Sequence, residues 1–111
     1  MIHGDVNDQN VLMDDAGVDV AGFIDLGDMC ETWRVNEVAI AMAYAMLGKE
    51  EPIEAATHVL VGYTSVVSLT AVELEVLPTL VACRVACSVV LGAYSHSLDP
   101  ENDYLLVTQV G

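Results

Sequence analysis

Residues 3–10, His3-Gly4-Asp5-Val6-Asn7-Asp8-Gln9-Asn10, and residues 24–28, Ile24-Asp25-Leu26-Gly27-Asp28, decide how this chain is read. Between them stand two short apolar runs, Val11-Leu12-Met13 and Val20-Ala21-Gly22-Phe23-Ile24, separated by Asp14-Asp15-Ala16-Gly17-Val18-Asp19. Short β-prone runs around a cluster of Asp and Gly predict a hairpin. The ends of that hairpin present Asp5, Asn10 and Asp25. Two carboxylates and an amide at such a place suit a general base and a hard cation, because magnesium takes oxygen ligands. Gly27, just past Asp25, is expected to let the backbone turn sharply.

Outward from the hairpin the chain reads as helical. After a loop from Met29 to Arg34, the run Val35 to Leu47 is apolar nearly all round, with only Asn36 and Glu37 polar near its start. A helix without a polar face belongs in the middle of a larger body. Gly48 ends it, and Pro52 opens a second helix at a position where its missing N–H does no harm. Ala56, Val59, Leu60 and Tyr63 form the apolar stripe of that helix. Thr70-Ala71-Val72-Glu73 is a capping box for a third helix, and Pro78 inside it predicts a kink or a break into two near Leu77. The continuation runs to about Ser97, followed by a loop over Asp99–Asp103 and a short apolar tail from Tyr104 to Val110. The expected fold class is α+β and mostly helical, a short hairpin laid against three to four helices.

Composition narrows the partners. The chain has 111 residues, so it is one small domain or a piece of a larger one, and 54% of them are hydrophobic, enough for a core. With 3 basic residues against 17 acidic, the formal net charge is −14. Such a surface excludes nucleic acid and anionic lipid as partners, whose phosphates need Lys and Arg. It favours cations, whether metal ions or an amine-bearing substrate, and the same acidity keeps an apolar protein soluble. Cys30, Cys83 and Cys87 make neither a disulfide framework nor a zinc pattern; Cys83 and Cys87 read as small core residues, and the default setting is the reducing cytoplasm. The N-terminus lacks the pattern of a signal peptide. The most apolar tract, Val76 to Tyr94, is interrupted by Pro78 and Arg84, and reads as a buried helix rather than a membrane span. Arg84 needs a partner if buried. Asp28 or Glu37 is expected, with the carboxylate of an amino-acid substrate as second choice. His58 and His96 read as helix-surface positions.

The spacing H-x-D-x-x-x-x-N, then a hydrophobic-D-x-G after a hairpin, is what phosphoryl transfer requires: one carboxylate for the attacking hydroxyl and oxygen ligands for magnesium. As plain turn and cap formers these residues would be ordinary, but that reading leaves three of them at this spacing unexplained. On these loops the chain resembles the aminoglycoside phosphotransferase and choline kinase-like family, relatives of the protein kinases. The stretches Asp25-Leu26-Gly27-Asp28-Met29, Glu37-Val38-Ala39-Ile40-Ala41 and Leu69-Thr70-Ala71-Val72-Glu73 are most similar to the hydroxylysine kinases, and to phosphotransferase domains fused to class III aminotransferases. The resemblance covers nearly the whole chain but only the C-terminal lobe of such a kinase. It implies Asp5 as catalytic base, and Asn10 and Asp25 as ligands of Mg2+; His3 is read beside them as a hydrogen-bond donor that fixes the catalytic loop, a structural role ahead of a direct one. Leu26 stands where the family commonly has Phe. The implied donor is GTP or ATP, and the implied acceptor a small cationic amino alcohol or hydroxy-amino acid, 5-hydroxylysine first. Asp28, Glu31, Trp33 and Glu37 follow the metal loop and are candidate substrate contacts, carboxylates and an aromatic face for an ammonium group. Glu37 equally suits the N-terminal turn of a helix.

Such a kinase also needs a glycine-rich loop and a lysine that pairs with the phosphates. The only lysine here is Lys49, after the apolar helix. Residues 1–111 are therefore expected to be a C-terminal lobe without the nucleotide-covering lobe, inert alone and prone to self-association through the face left bare. The alternative from a different class is a non-catalytic, kinase-like binding module.

Overall fold

Pairing of Val11 with Phe23 and Leu12 with Gly22 builds the hairpin, and its register shifts before Met13, which faces Val20. The computed structural model describes residues 1–101. Its elements are β1 (Val11–Met13), β2 (Val20–Phe23), α1 (Val35–Met46), α2 (Pro52–Thr64) and α3 (Ala71–Leu98). The apolar tail expected from Tyr104 to Val110, and the end of the loop before it, lie outside the described residues.

Asp14 closes the hairpin loop. Its carboxylate accepts the backbone N–H of Val18 at 2.8 Å and of Asp19 at 3.2 Å, while Gly17 supplies a φ of 69°. Those bonds, Val18 first, hold the Asp14 carboxyl below its ordinary range. Leu12, Met13, Val20 and Phe23 are all exposed. The strands are thus not laid against the helices as expected, and the backbone of neither approaches one closely. The reason is that α1 already packs against α2 and α3, which do not meet each other.

Placement of α1 in the middle is what its all-round apolar sequence demands. Val35, Val38, Ala39, Ile40 and Ala43 are buried, and Leu77 and Val81 of α3 join them in the core. Val59, Leu60 and Tyr63 of α2 cover another side. Each such Val or Leu, fully buried, contributes about 1.5–3 kcal/mol. Pro52 stands at the first turn of α2, where no N–H is needed.

The expected break at Pro78 does not occur, and α3 runs continuously through it. Pro78 deprives only the Leu74 carbonyl of a helical partner, and both residues are exposed to solvent, where the unpaired carbonyl costs little. Nor is the tract Val76 to Tyr94 buried as expected. With 28 residues α3 far outreaches the 12-residue α1, so at about 1.5 Å per residue its second half has no helix to lie on. Val90, Leu91, Tyr94 and Leu98 remain exposed. By length and composition alone α3 is apolar enough to cross a membrane; here it lies along α1 through Leu77 and Val81.

A polar clasp fixes the start of α3. Thr70 and Glu73 form the expected capping box. Arg34, just ahead of α1, donates from Nε to Glu73 at 3.2 Å and from Nη2 to the Ser68 carbonyl at 2.8 Å. The Arg34 guanidinium, aided by the Thr70 N–H, holds the Glu73 carboxyl below its ordinary range. A carboxylate whose folded value is depressed stabilises the fold above its unfolded value of about 4.3 and loses that contribution as pH falls through the lower folded value. Urea midpoints measured from pH 7 down to pH 3 should therefore fall more for the natural chain than for Glu73→Gln. Parallel pH profiles would show that the clasp contributes nothing to acid stability.

Candidate active site

The first loop is pinned from three sides. Ile2 exchanges backbone hydrogen bonds with Cys30, donating at 2.9 Å and accepting at 3.3 Å, which sets residues 2–5 beside residues 28–30. Gly4 has a φ of 85°, and a Cβ there would sit 2.5 Å from the Asp28 carbonyl oxygen, so only glycine fits. From behind, the Glu37 carboxylate accepts the backbone N–H groups of His3 and Gly4. Glu37 thereby holds the loop that carries Asp5.

His3 ties the two loops together. Its Nδ1 accepts the Asp5 N–H at 3.2 Å, which leaves Nε2 to donate to the Ile24 carbonyl at 2.8 Å. This is one neutral tautomer, with the proton on Nε2. Its ring also meets Phe23, centroids 6.3 Å apart.

Asn7 accepts the N–H groups of Gln9 and Asn10 on its side-chain oxygen, a local turn that aims Asn10 inward. Asn10 is 7% exposed, the one buried polar side chain among the described residues. Its Nδ2 donates to the Asp5 carbonyl at 2.9 Å and to Asp5 Oδ2 at 3.2 Å. With the NH2 side so engaged, Oδ1 points the other way. The Ile24 N–H donates to the Asn10 carbonyl at 2.9 Å, so Asp25, the next residue, stands beside Asn10. The sharp turn expected at Gly27 is made earlier: Asp25 itself takes a φ of 61°, which Asp tolerates better than most residues, and Gly27 has no positive φ. Among the described residues no three His, Cys, Asp or Glu side chains cluster as a metal cage. An amide oxygen and one carboxylate fit magnesium all the same, since it is usually held by few protein oxygens plus phosphates and water.

Asp5 opens onto a cleft of about 1170 Å³ between this loop, α1 and α3. Its Oδ1 accepts from Arg84 Nη2 at 3.0 Å. The same Nη2 lies 3.1 Å from the Tyr44 hydroxyl, and the guanidinium carbon is 5.3 Å from the Tyr44 ring centroid. Arg84 therefore pairs with neither Asp28 nor Glu37, the expected partners. Glu37 is occupied by the first loop, and Asp28 is exposed. Tyr44 is the residue that sequence reasoning missed; a lone hydroxyl in an otherwise apolar helix was the available signal.

Of the four candidate substrate contacts, Asp28 borders the cleft, while Glu31 and Trp33 are exposed outside it and Glu37 is turned to His3 and Gly4. Cys83 and Cys87 are not core residues as expected. They are exposed on the cleft wall beside Arg84, because α3 turns a different stripe, Leu77 and Val81, to the core. His58 is on the surface, 3.5 Å from Glu54, and His96 is half-buried in the last turn of α3.

Known proteins are similar to this sequence. Hydroxylysine kinase of Mus musculus is 45% identical over 114 residues, covering 96% of this chain and 30% of that protein. The Bos taurus hydroxylysine kinase is 45% identical over the same shares, and that of Danio rerio 36% identical over 110 residues. The chain thus spans about 30% of the length of the curated relatives it matches. No solved structure matches it. The phosphotransferase enzyme family matches over residues 1–73. That stretch takes in both loops, the hairpin between them and the α1 helix that holds them, and so the chain belongs to the phosphotransferase enzyme family.

Proposed function

We propose that this chain is the base- and metal-bearing C-terminal lobe of a small-molecule kinase acting on 5-hydroxylysine or a related hydroxy-amino acid. GTP or ATP is the donor and Mg2+ the cofactor. The observation that carries this reading is the Asp5 carboxylate at the cleft, gripped through Oδ2 by Asn10, with Asp25 set beside Asn10 by the Ile24 backbone bond. Asp5 orients the acceptor hydroxyl and takes its proton as the oxygen attacks the γ-phosphorus. The bond from that phosphorus to the bridging oxygen breaks, and the nucleoside diphosphate leaves. Asn10 and Asp25 would hold magnesium, which offsets the charge of the phosphates when bound. His3 and Glu37 keep Asp5 in place. Asp8 and Asp28 at the cleft suit the ammonium groups of the acceptor. The choice of acceptor is supported by the relatives, which are hydroxylysine kinases. A cytoplasmic setting belongs to this reading, since exposed free thiols such as Cys30, Cys83 and Cys87 persist in a reducing compartment.

These 111 residues contain no glycine-rich phosphate loop with its lysine. Turnover is therefore expected from a polypeptide that adds a nucleotide-covering lobe, and not from residues 1–111 alone. The test is magnesium-dependent phosphate transfer from GTP and ATP by the extended polypeptide, to 5-hydroxylysine and to lysine. Transfer to 5-hydroxylysine only is the expected result; none to either would overturn the reading. Nucleotide binding without any transfer would favour the second reading, a non-catalytic kinase-like binding module.

A further inference from the structure

We infer that Arg84, steadied by Tyr44, is the receptor for the carboxylate of the acceptor, so that the site selects hydroxy-amino acids over amino alcohols. This inference rests on the reading of Asp5 as the base of a phosphotransferase. Among the described residues lining the cleft, Arg84 is the one cation, and Asp5, Asp8 and Asp28 face the same space. A zwitterionic acceptor brings ammonium groups for those carboxylates. Its own carboxylate has only Arg84 to meet.

The guanidinium is incompletely used in the structure. Nη2 serves both Asp5 and Tyr44, and Nε is buried with no hydrogen-bond partner, the one such side-chain atom among the described residues. Nη1 takes part in neither bond, and the side chain is 30% exposed at the cleft. An arginine that served only to neutralise Asp5 would be expected to use its fork, two parallel bonds to one carboxylate. Here it gives Asp5 one bond and holds a second donor in reserve. The aromatic face of Tyr44 keeps the guanidinium in place whether or not Asp5 holds it. An acceptor hydroxyl arriving at Asp5 competes for Oδ1, and the guanidinium, still held on Tyr44, meets the carboxylate that arrives with it.

Dimensions agree. In 5-hydroxylysine four carbon–carbon bonds separate the hydroxyl-bearing carbon from the carboxyl carbon, about 5 Å when extended. With Nη2 at 3.0 Å from Asp5, the carboxylate and the guanidinium are close enough for one such acceptor to reach both. The sides of the site agree as well. Asn10 lies on the hairpin side, by Asp5 Oδ2, and Asp25 follows Ile24 on that side, whereas Tyr44 and Arg84 form the helical wall by Oδ1. Phosphates on one side leave the tail of the acceptor for the other.

The experiment is calorimetric titration of the polypeptide extended with a nucleotide-covering lobe, with 5-hydroxylysine and with its decarboxylated counterpart, which keeps the hydroxyl and both amines. The carboxylate-bearing ligand should bind about tenfold to a hundredfold more tightly. Arg84→Gln should bring the two within about twofold of each other, and Arg84→Lys should retain part of the difference. Because the ligand ratio is read first in the natural chain, a variant that fails to fold does not decide the matter. Equal affinities in the natural chain would overturn this inference and leave the kinase reading standing. Binding of neither ligand would overturn this inference, while the kinase reading is decided separately by phosphate transfer. If Arg84→Gln weakens magnesium–nucleotide binding and leaves the ligand ratio intact, the guanidinium serves phosphate and the inference fails.

Discussion

Asp5→Asn is expected to lower kcat by about a hundredfold to ten-thousandfold, the usual contribution of a positioned general base, while KM moves far less. The assay is steady-state transfer to 5-hydroxylysine by the polypeptide extended with a nucleotide-covering lobe. An amide nearly matches the carboxylate in size but does not accept the proton of the attacking hydroxyl. It also disturbs its surroundings. The Asp5 carboxylate accepts Arg84 on Oδ1 and Asn10 Nδ2 on Oδ2. An amide offers one acceptor and one NH2, so a donor must face either Nδ2 of Asn10 or the guanidinium. One of the two bonds is lost, and Arg84 is left without its counter-charge. Asp15→Asn, in the exposed hairpin loop, is the matching control and should leave turnover unchanged. Undiminished turnover in Asp5→Asn would remove Asp5 from the base role.

Gly4→Ala is expected to destabilise the fold by about 3 kcal/mol, read from urea unfolding. Two effects add. A residue with a Cβ at positive φ carries about 1 kcal/mol or more of backbone strain, and an enforced collision forces a backbone shift of about 1–3 kcal/mol. At Gly4 the collision is with backbone, the Asp28 carbonyl oxygen 2.5 Å away, so no flexible side chain can give. Gly17→Ala separates the two effects. Its φ of 69° is similar, yet nothing lies within 4 Å, so only the strain remains and about 1 kcal/mol is expected. Equal losses at both positions would show that residues 2–5 and 28–30 are not held in this close approach. Gly4→Ala should also slow transfer, because relieving the collision moves Asp5 or Asp28 at the cleft.

Much of the fold was legible because its causes are local. The hairpin follows from two short β-prone runs around an Asp and Gly turn, and the capping box at Thr70 and Glu73 from four adjacent residues. The central position of α1 was legible too, since a helix apolar all round is buried only between neighbours. Of the kink or break expected at Pro78, the break did not come, because proline propensity says nothing of whether the freed carbonyl is exposed. Cys83 and Cys87 misled because spacing alone does not say which stripe of α3 faces the core, and the outer half of α3 because burial depends on how far the partner helix extends.

By itself the sequence indicated that the loop of Asp5 and Asn10 would meet the segment just before Asp25, because a hairpin of fixed turn chemistry returns the chain to its own start within 28 residues. Only the tertiary structure decided what surrounds them. Glu37 reaches back 34 residues to the backbone of His3, and Arg84 reaches across 79 residues to Asp5. Ion pairs and backbone caps at such separations are set by how α1 and α3 dock, a consequence of which apolar stripe each helix buries. No local spacing encodes that choice, and so the loop bearing Asp5 could be read from the residues, while the guanidinium that faces Asp5 could not.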